Sequence, residues 1–436
     1  MTNIKKGLLA LAMATAIVPT MAQTNGSNSP YSRYGFGLIN DGGQGFNRGM
    51  AGVALGMRNN NQLNVNNPAS YAALDSETFL FDIGASFQLG QFKWNGNSAT
   101  AKNTSIDYIT MGFRAAKNVG VSLGLMPFTT IGYNLKNVSV VDYSHSAVTQ
   151  TETYAGEGGL RYVYAGIGWS PIRNLSVGAN LGYLWGTQTH TVSASFSDAS
   201  IATQRRVYSA DVRTYKADFG LQYTQPIDKK NTVTLGVTYG LGHDINSKAS
   251  YYSQTQLSNT LTGADTVSTR NAFALPHSFG VGLAWEYGKK WRVGVDYTLQ
   301  KWSGVRYPML KYADGVYSYK ATTDQFSDRS KISFGAEYVP NAEGMKRSQH
   351  VRYRLGAAYT DSYTKVDGQA GPRSYQVTAG VGLPIMNRHN NRSFLNLSVG
   401  YERVEPRFSG QIAENYFRVG VGITFNEEWF SKWRVN

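Results

Sequence analysis

The chain has 436 residues, 16% of them charged, with 47 Gly, 29 Tyr, 12 Pro and no Cys. Without cysteine there is no lipoprotein anchor, no disulfide framework and no thiolate chemistry. A formal charge of +14 and a pI near 9.6 would suit nucleic acid in a cytoplasmic protein, but the first residues point away from the cytoplasm.

Lys5 and Lys6 form a positive n-region, Gly7 to Val18 a short apolar stretch, and Thr20-Met21-Ala22 a small-residue cleavage site. This is the pattern of a secretory signal peptide cut before Gln23, so residues 1–22 are set aside from the fold. The stretch is too short for a spanning helix, which needs roughly 20 apolar residues. Removing Lys5 and Lys6 leaves a charge of about +12. Export leaves no nucleic-acid partner; outer-membrane lipid head groups, lipopolysaccharide phosphates and acidic ligands remain.

Beyond the leader, polar residues interrupt every apolar run within a few positions. A membrane-embedded mature chain must therefore be a closed barrel, which satisfies its backbone without helices. Residues 23–78 do not alternate and are rich in Gly and Asn. They read either as a disordered leader or as a plug in the lumen. Tyr31, Tyr34, Phe36 and Phe46 favour the plug, because aromatic rings gain from being packed.

From Phe79 onward two-residue alternation dominates. Fourteen strands are predicted, near 79–91, 104–116, 119–134, 157–170, 174–190, 208–226, 231–246, 276–287, 290–303, 329–339, 350–361, 373–384, 393–404 and 415–425. In the eighth, Phe279, Val281, Leu283, Trp285 and Tyr287 point one way, and Ser278, Gly280, Gly282, Ala284 and Glu286 the other. Short turns at 117–118, 171–173, 227–230, 288–289, 340–349 and 385–392 alternate with longer segments at the other end. The expected fold is thus all-β: a 14-stranded antiparallel transmembrane β-barrel at 79–425 with an N-terminal lumenal hatch at 23–78 and a periplasmic tail at 426–436. Short turns then face the periplasm. Trp169, Trp285 and Trp291 fall at that rim, and Trp185 and Trp302 at the outer one, where amphipathic rings prefer the interface.

The third strand contains Pro127, which has no N–H for the ladder. A closed barrel has no edges to accommodate it, so the ladder is expected to break near Met126, Pro127 and Phe128, either as a bulge or as a side opening.

Asp82, Asp107, Arg161, Lys216, Asp218, Glu286, Arg292, Asp296, Glu337, Arg352, Arg354 and Arg418 fall on the polar phase of their strands. They pair with one another and with Arg33, Asp41, Arg48 and Arg58 of the hatch, as buried charges require. Alternatively Arg292, Arg352, Arg354 and Arg418 bind a ligand carboxylate. No catalytic set emerges. The six histidines show no metal-ligand spacing, and His277 and Ser278 are adjacent on a strand and so face opposite sides. Neither a cofactor nor a metal is expected, and a barrel hydrolase is the weakest of three readings.

Gly49-Met50-Ala51-Gly52-Val53-Ala54, then Asn66-Asn67-Pro68-Ala69, then Leu275-Pro276 opening a hairpin through Asp296, Tyr297 and Trp302 occur in an order that resembles the FadL/TodX family, in a version like those of the Bacteroidetes. The resemblance implies a Gram-negative outer-membrane transporter of small hydrophobic molecules, fatty acids or aromatics. It makes Asn66, Asn67, Pro68 and Ala69 the hatch motif, and Met126, Pro127 and Phe128 the border of a lateral gate. It also implies an alternative, since FadL-like barrels serve as non-transport subunits of secretion or assembly complexes. The tail from Asn426 to Asn436 would then offer a protein partner its binding site.

Overall fold

A computed structural model describes residues 27–428 except Asn95, Ser144, Asn259, Gly315 and 386–392. The expected signal peptide at 1–22, most of the expected turn at 385–392 and the expected tail from residue 429 onward lie outside the described residues. Fourteen antiparallel strands close into a barrel. In chain order they are β1 (Thr78–Trp94), β2 (Asn97–Ala116), β3 (Val119–Pro127), β4 (Arg161–Ile172), β5 (Leu175–Phe196), β6 (Thr203–Pro226) and β7 (Asn231–Gly240). There follow β8 (Ser278–Tyr287), β9 (Trp291–Gln300), β10 (Arg329–Tyr338), β11 (Arg352–Asp361), β12 (Arg373–Ile385), β13 (Ser393–Glu405) and β14 (Ala413–Glu428). The seam between first and last strands runs from Thr78↔Glu428 to Lys93↔Ala413. The final strand therefore takes in Asn426 to Glu428, which the sequence pattern assigns to the tail.

Alternation sorts the side chains as expected for a wall between two media. The outer face carries an exposed apolar band, with Leu123, Ile167, Val281, Phe334, Leu355 and Val377 among its members. Trp169, Trp285 and Trp291 are exposed at the short-turn end, and Tyr183, Tyr215, Tyr297, Tyr375 and Tyr401 ring the other. Trp302 departs from expectation. It is 0% exposed, and its ring packs on Phe36, Phe326 and Tyr363 in a core above the barrel. Residue type alone does not separate a girdle tryptophan from a packed one.

That core belongs to the long connections. Hairpins Thr129–Tyr143 with Ser146–Gly158, Lys248–Leu257 with Thr260–Arg270, and Tyr307–Ala313 with Val316–Thr322 rise from the wall. Their buried rings meet Phe36 of the N-terminal segment. The hydroxyl of Tyr307 donates to the carbonyl of Gly35 at 3.0 Å, and that of Tyr363 to the carbonyl of Gly37 at 2.7 Å. Segment and cap are thus joined through backbone acceptors that water does not reach.

Candidate functional site: the occupied lumen and the break in its wall

Residues 27–77 run from the cap down to the short-turn end and lie against the inner wall. Inward glycines set how close they come. A Cβ on Gly120 would sit 1.9 Å from the carbonyl oxygen of Tyr71, one on Gly236 1.9 Å from that of Leu55, and one on Gly178 2.4 Å from the carbonyl carbon of Pro68. Backbone meets backbone at these points, and no other residue fits.

Of the Asn66-Asn67-Pro68-Ala69 motif, Asn67 is fully buried. Its side chain caps the short 3₁₀ helix Pro68–Ala73 by accepting from the N–H of Ala69, while its Nδ2 donates to the carbonyl of Leu55 at 2.8 Å. Proline at the first helical position has no N–H to leave unsatisfied. Asn66 is half-buried, and its amide reaches the carbonyl of Asp41.

The charged groups of segment and wall interlock. Asp41 takes Arg329 at 2.6 Å and Lys331 at 2.7 Å; Arg48 pairs with Asp107; Arg58 donates to Ser176; and Asp296 accepts the N–H groups of Ala54 and Leu55. Burial pushes the Asp41 carboxyl up, but Arg329 and Lys331 outweigh it and hold the group well below the usual carboxylate range. Arg33 instead lies over the ring of Tyr154. Arg161 departs from its expected face: Tyr162 and Tyr164 fill the inner side of β4, and Arg161 is exposed on the outward phase.

Three of the four candidate anion-binding arginines converge, and their shared carboxylate belongs to the wall itself. Glu337 accepts from Arg354 at 2.7 Å, Arg292 at 3.2 Å and Arg352 at 3.5 Å. Arg292 also holds Glu286 at 2.9 Å, and Arg354 reaches Asn396 at 2.7 Å. Arg418 stands apart, bound to Gln88 and 3.7 Å from Glu402. His277 accepts through Nδ1 from the N–H of Gly242 and shares a hydrogen bond with the hydroxyl of Tyr239.

At Pro127 the wall is interrupted. The β2–β3 ladder ends at Ile109↔Leu125, so the upper part of β2, residues 97–108, pairs with β1 alone. β3 stops at Pro127, opposite Arg161. The chain then leaves the barrel ladder: the N–H of Phe128 donates to the carbonyl of Leu160 at 2.7 Å, and Thr129 pairs with Ile39 and Thr130 with Leu38. The single strand expected over 119–134 is therefore two, because the imide cannot carry the ladder onward. Met126 is buried and accepts from the hydroxyl of Tyr162 through its sulfur, and Phe128 packs edge-on against the same ring.

A cavity of 1260 Å³ occupies this region. Inward residues Ser86, Asp107, Tyr108 and Met126 line it, but so do the outward-phase residues Ile106, Leu125, Val163 and Tyr183. It reaches both faces of the wall where β2 and β3 part. Ser27 and Ser32 bridge above it to the carbonyl of Gly132, and Asn28 to Asn103. The interruption itself was legible in Pro127; the detour of 129–160 was not, because Ile131 and Tyr133 prolong the alternation.

A closed antiparallel barrel with an apolar outer band, aromatic rims and an occupied lumen defines the class: a transmembrane, outer-membrane-type β-barrel. Residues 3–436 match the BamG family, and the chain belongs to it. No curated protein matches the chain. Among solved structures, the CymD monoaromatic hydrocarbon channel is similar at 13% identity and a TM-score of 0.60, over 90% of this chain and 100% of that one. The Pseudomonas putida toluene transporter TodX is similar at 14% identity and a TM-score of 0.60, over 90% and 99%. A Pseudomonas aeruginosa FadL homologue is similar at 11% identity and a TM-score of 0.56, over 88% and 98%. At such identities the likeness establishes the fold, which is FadL-like.

Proposed function

We propose that this protein is a non-enzymatic barrel of the outer membrane that passes small hydrophobic molecules, fatty acids or aromatics, from its lumen to the lipid through a lateral gate. Residues 23–78 act as the hatch, and Met126, Pro127 and Phe128 border the gate. The observation that carries the reading is the cavity lined from both faces of the wall at Pro127. The structures of this fold named as a monoaromatic hydrocarbon channel and a toluene transporter lend it support. Short turns face the periplasm, following the usual asymmetry of bacterial barrels.

Replacing Pro127 with Val tests the gate, because valine supplies the missing donor and favours an extended strand. Slower uptake of a hydrophobic substrate is expected, with normal insertion and heat-modifiable migration. Uptake equal to that of the native chain, in a variant whose β2–β3 ladder has closed, rules the gate out.

A second reading, a non-transport subunit of an outer-membrane complex, is favoured by a different observation. Asp41, Arg48, Asp107, Arg329, Lys331 and Arg418 line the same cavity, and desolvating such groups around an apolar cargo is costly. Purification in mild detergent separates the two: a stoichiometric protein partner supports the subunit, and a lone barrel with hydrophobic ligand in the cavity supports the transporter.

A further inference from the structure

The rim at the long-loop end is not electrically uniform. On the far side of the barrel, Arg213 holds Asp211 at 3.0 Å, Lys301 holds Asp328 at 2.7 Å, and Arg306 pairs with Asp244. Across β12, β13, β1 and β2 the outward cations are differently placed. Arg373 lies directly opposite Glu405, and Arg403 directly opposite Tyr375, in the β12–β13 register. Leu355 and Val377, exposed lower on the same phase, mark that phase as outward. Arg373 Nε stands 4.0 Å from Glu405, and Arg403 Nη2 stands 3.8 Å from it. Both are ion-pair separations longer than a hydrogen bond, so the two guanidinium groups share one carboxylate. Two guanidinium groups against one carboxylate leave this corner net positive, and Asp361, opposite Arg373 on β11, is taken by Arg407.

Two further cations extend the site. Lys93 on β1 and Lys102 on β2 are exposed on the outward phase, Lys102 directly opposite Leu89. Between the arginine and lysine pairs runs β14, where Ala413 and Asn415 present small side chains. Two strand spacings separate β13 from β1, or about 10 Å. Level with Lys102 and below Lys93 and both arginines lie Tyr401, Phe417 and Leu89, with Val399 lower still, all exposed and all part of the outer band. The result is a shallow seat with cations at both sides, a small-residue floor and an apolar wall beneath.

The geometry points to a binding site for a phosphate-bearing lipid of the leaflet at the long-loop end. Arg373 and Arg403 take one phosphate, Lys93 a second anionic group, and the acyl chains lie on Tyr401, Phe417 and Leu89, flanked by Lys102 at the level of Leu89. Guanidinium forks bind phosphate bidentately, and lysines bind it as point charges. An apolar band below Lys93 and both arginines favours lipid over a soluble anion, because the acyl chains then gain burial that free phosphate cannot. The inference depends on the outer band facing lipid and is independent of what passes through the lumen.

The test uses the full barrel in detergent, with native mass spectrometry counting retained lipid A and its dephosphorylated form. The native chain is expected to retain lipid A about tenfold better than the dephosphorylated form, and the Arg373→Gln, Arg403→Gln double variant to lose that preference. Lys93→Gln with Lys102→Gln is a second, independent variant expected to weaken retention in the same direction. Heat-modifiable migration reports folding for both. Equal retention of the two lipids by the native chain overturns the site, as does a full preference in both double variants. Displacement of lipid A by inorganic phosphate alone also overturns it, since it would make the seat a simple anion site.

Discussion

Gly120 offers the sharpest test of whether residues 27–77 are locked to the wall. A Cβ there would lie 1.9 Å from the carbonyl oxygen of Tyr71 and 2.5 Å from its carbonyl carbon. Ordinary contact begins near 3.4 Å, so Gly120→Ala demands a retreat of about 1.5 Å by the 3₁₀ helix. That helix has nowhere to go: a Cβ on Gly168 would be 2.5 Å from the carbonyl oxygen of Pro68, and the Tyr71 hydroxyl is bonded to Asn180 at 3.1 Å. Overpacking of this kind costs about 1–3 kcal/mol, and losing the Tyr71 hydrogen bond adds about 1 kcal/mol. The expected outcome is a lower unfolding midpoint by intrinsic fluorescence, together with raised ion conductance in planar bilayers as the helix leaves its seat. Gly400→Ala is the control, because its Cβ would meet a side-chain methyl of Thr378 at 3.3 Å and the Val377 carbonyl oxygen at an ordinary 3.8 Å. Gly120→Ala behaving like Gly400→Ala in both assays refutes the backbone-contact argument.

Removing the Glu337 carboxylate with Ala leaves Arg292, Arg352 and Arg354 crowded in the wall without their common partner. Loss of a buried partner typically costs about 3–5 kcal/mol, to be read as a lower denaturation midpoint. The Asp41 contacts should respond to acid. A carboxyl held below its ordinary value of 3.8 contributes stability that is full above that pH and lost as pH falls toward the folded value. Conductance should therefore rise on acidification below about pH 4, and Asp41→Asn should abolish that pH dependence; an unchanged acid response in the Asn variant would discard Asp41 as its origin. Single cysteines at Lys229 and Ala264, in a chain with no native thiol, should label oppositely with an impermeant maleimide on intact cells. Ala264 should react and Lys229 stay protected, and the reverse would invert the barrel.

What the sequence disclosed followed from periodicity. A strand between two media writes its burial into every second residue, so all fourteen barrel strands were readable, though the long-loop ends of β2, β3, β5, β6 and β7 were misplaced by five to seven residues. The protruding hairpins were not, because segments such as Thr260–Arg270 are exposed on both faces and carry no alternation. Arg161 was misplaced for a related reason: polarity stood in for inwardness, but the inner side of β4 is built from tyrosine rings. Glu337 and its arginines were each legible as lumenal charges. Their convergence depends on the β9–β10–β11 register, Arg292↔Glu337↔Arg354, which no local pattern encodes. Asn67 and Pro68 stood out, yet their seat is defined by glycines on three separate strands, β4, β5 and β6.

The seam between β1 and β14 joins residues at opposite ends of the chain, as in the Thr424–Asp82 hydrogen bond across 342 positions. Closing so long a loop is entropically expensive and kinetically late. The N-terminal segment spans that seam from within. Gly45 donates its N–H to Tyr108, whose hydroxyl also donates to Asp82 on β1, and Gly45 lies 3.0 Å from where a Cβ on Gly422 of β14 would stand. The segment therefore acts as a clasp across the seam, touching both strands that an opened barrel would expose as edges.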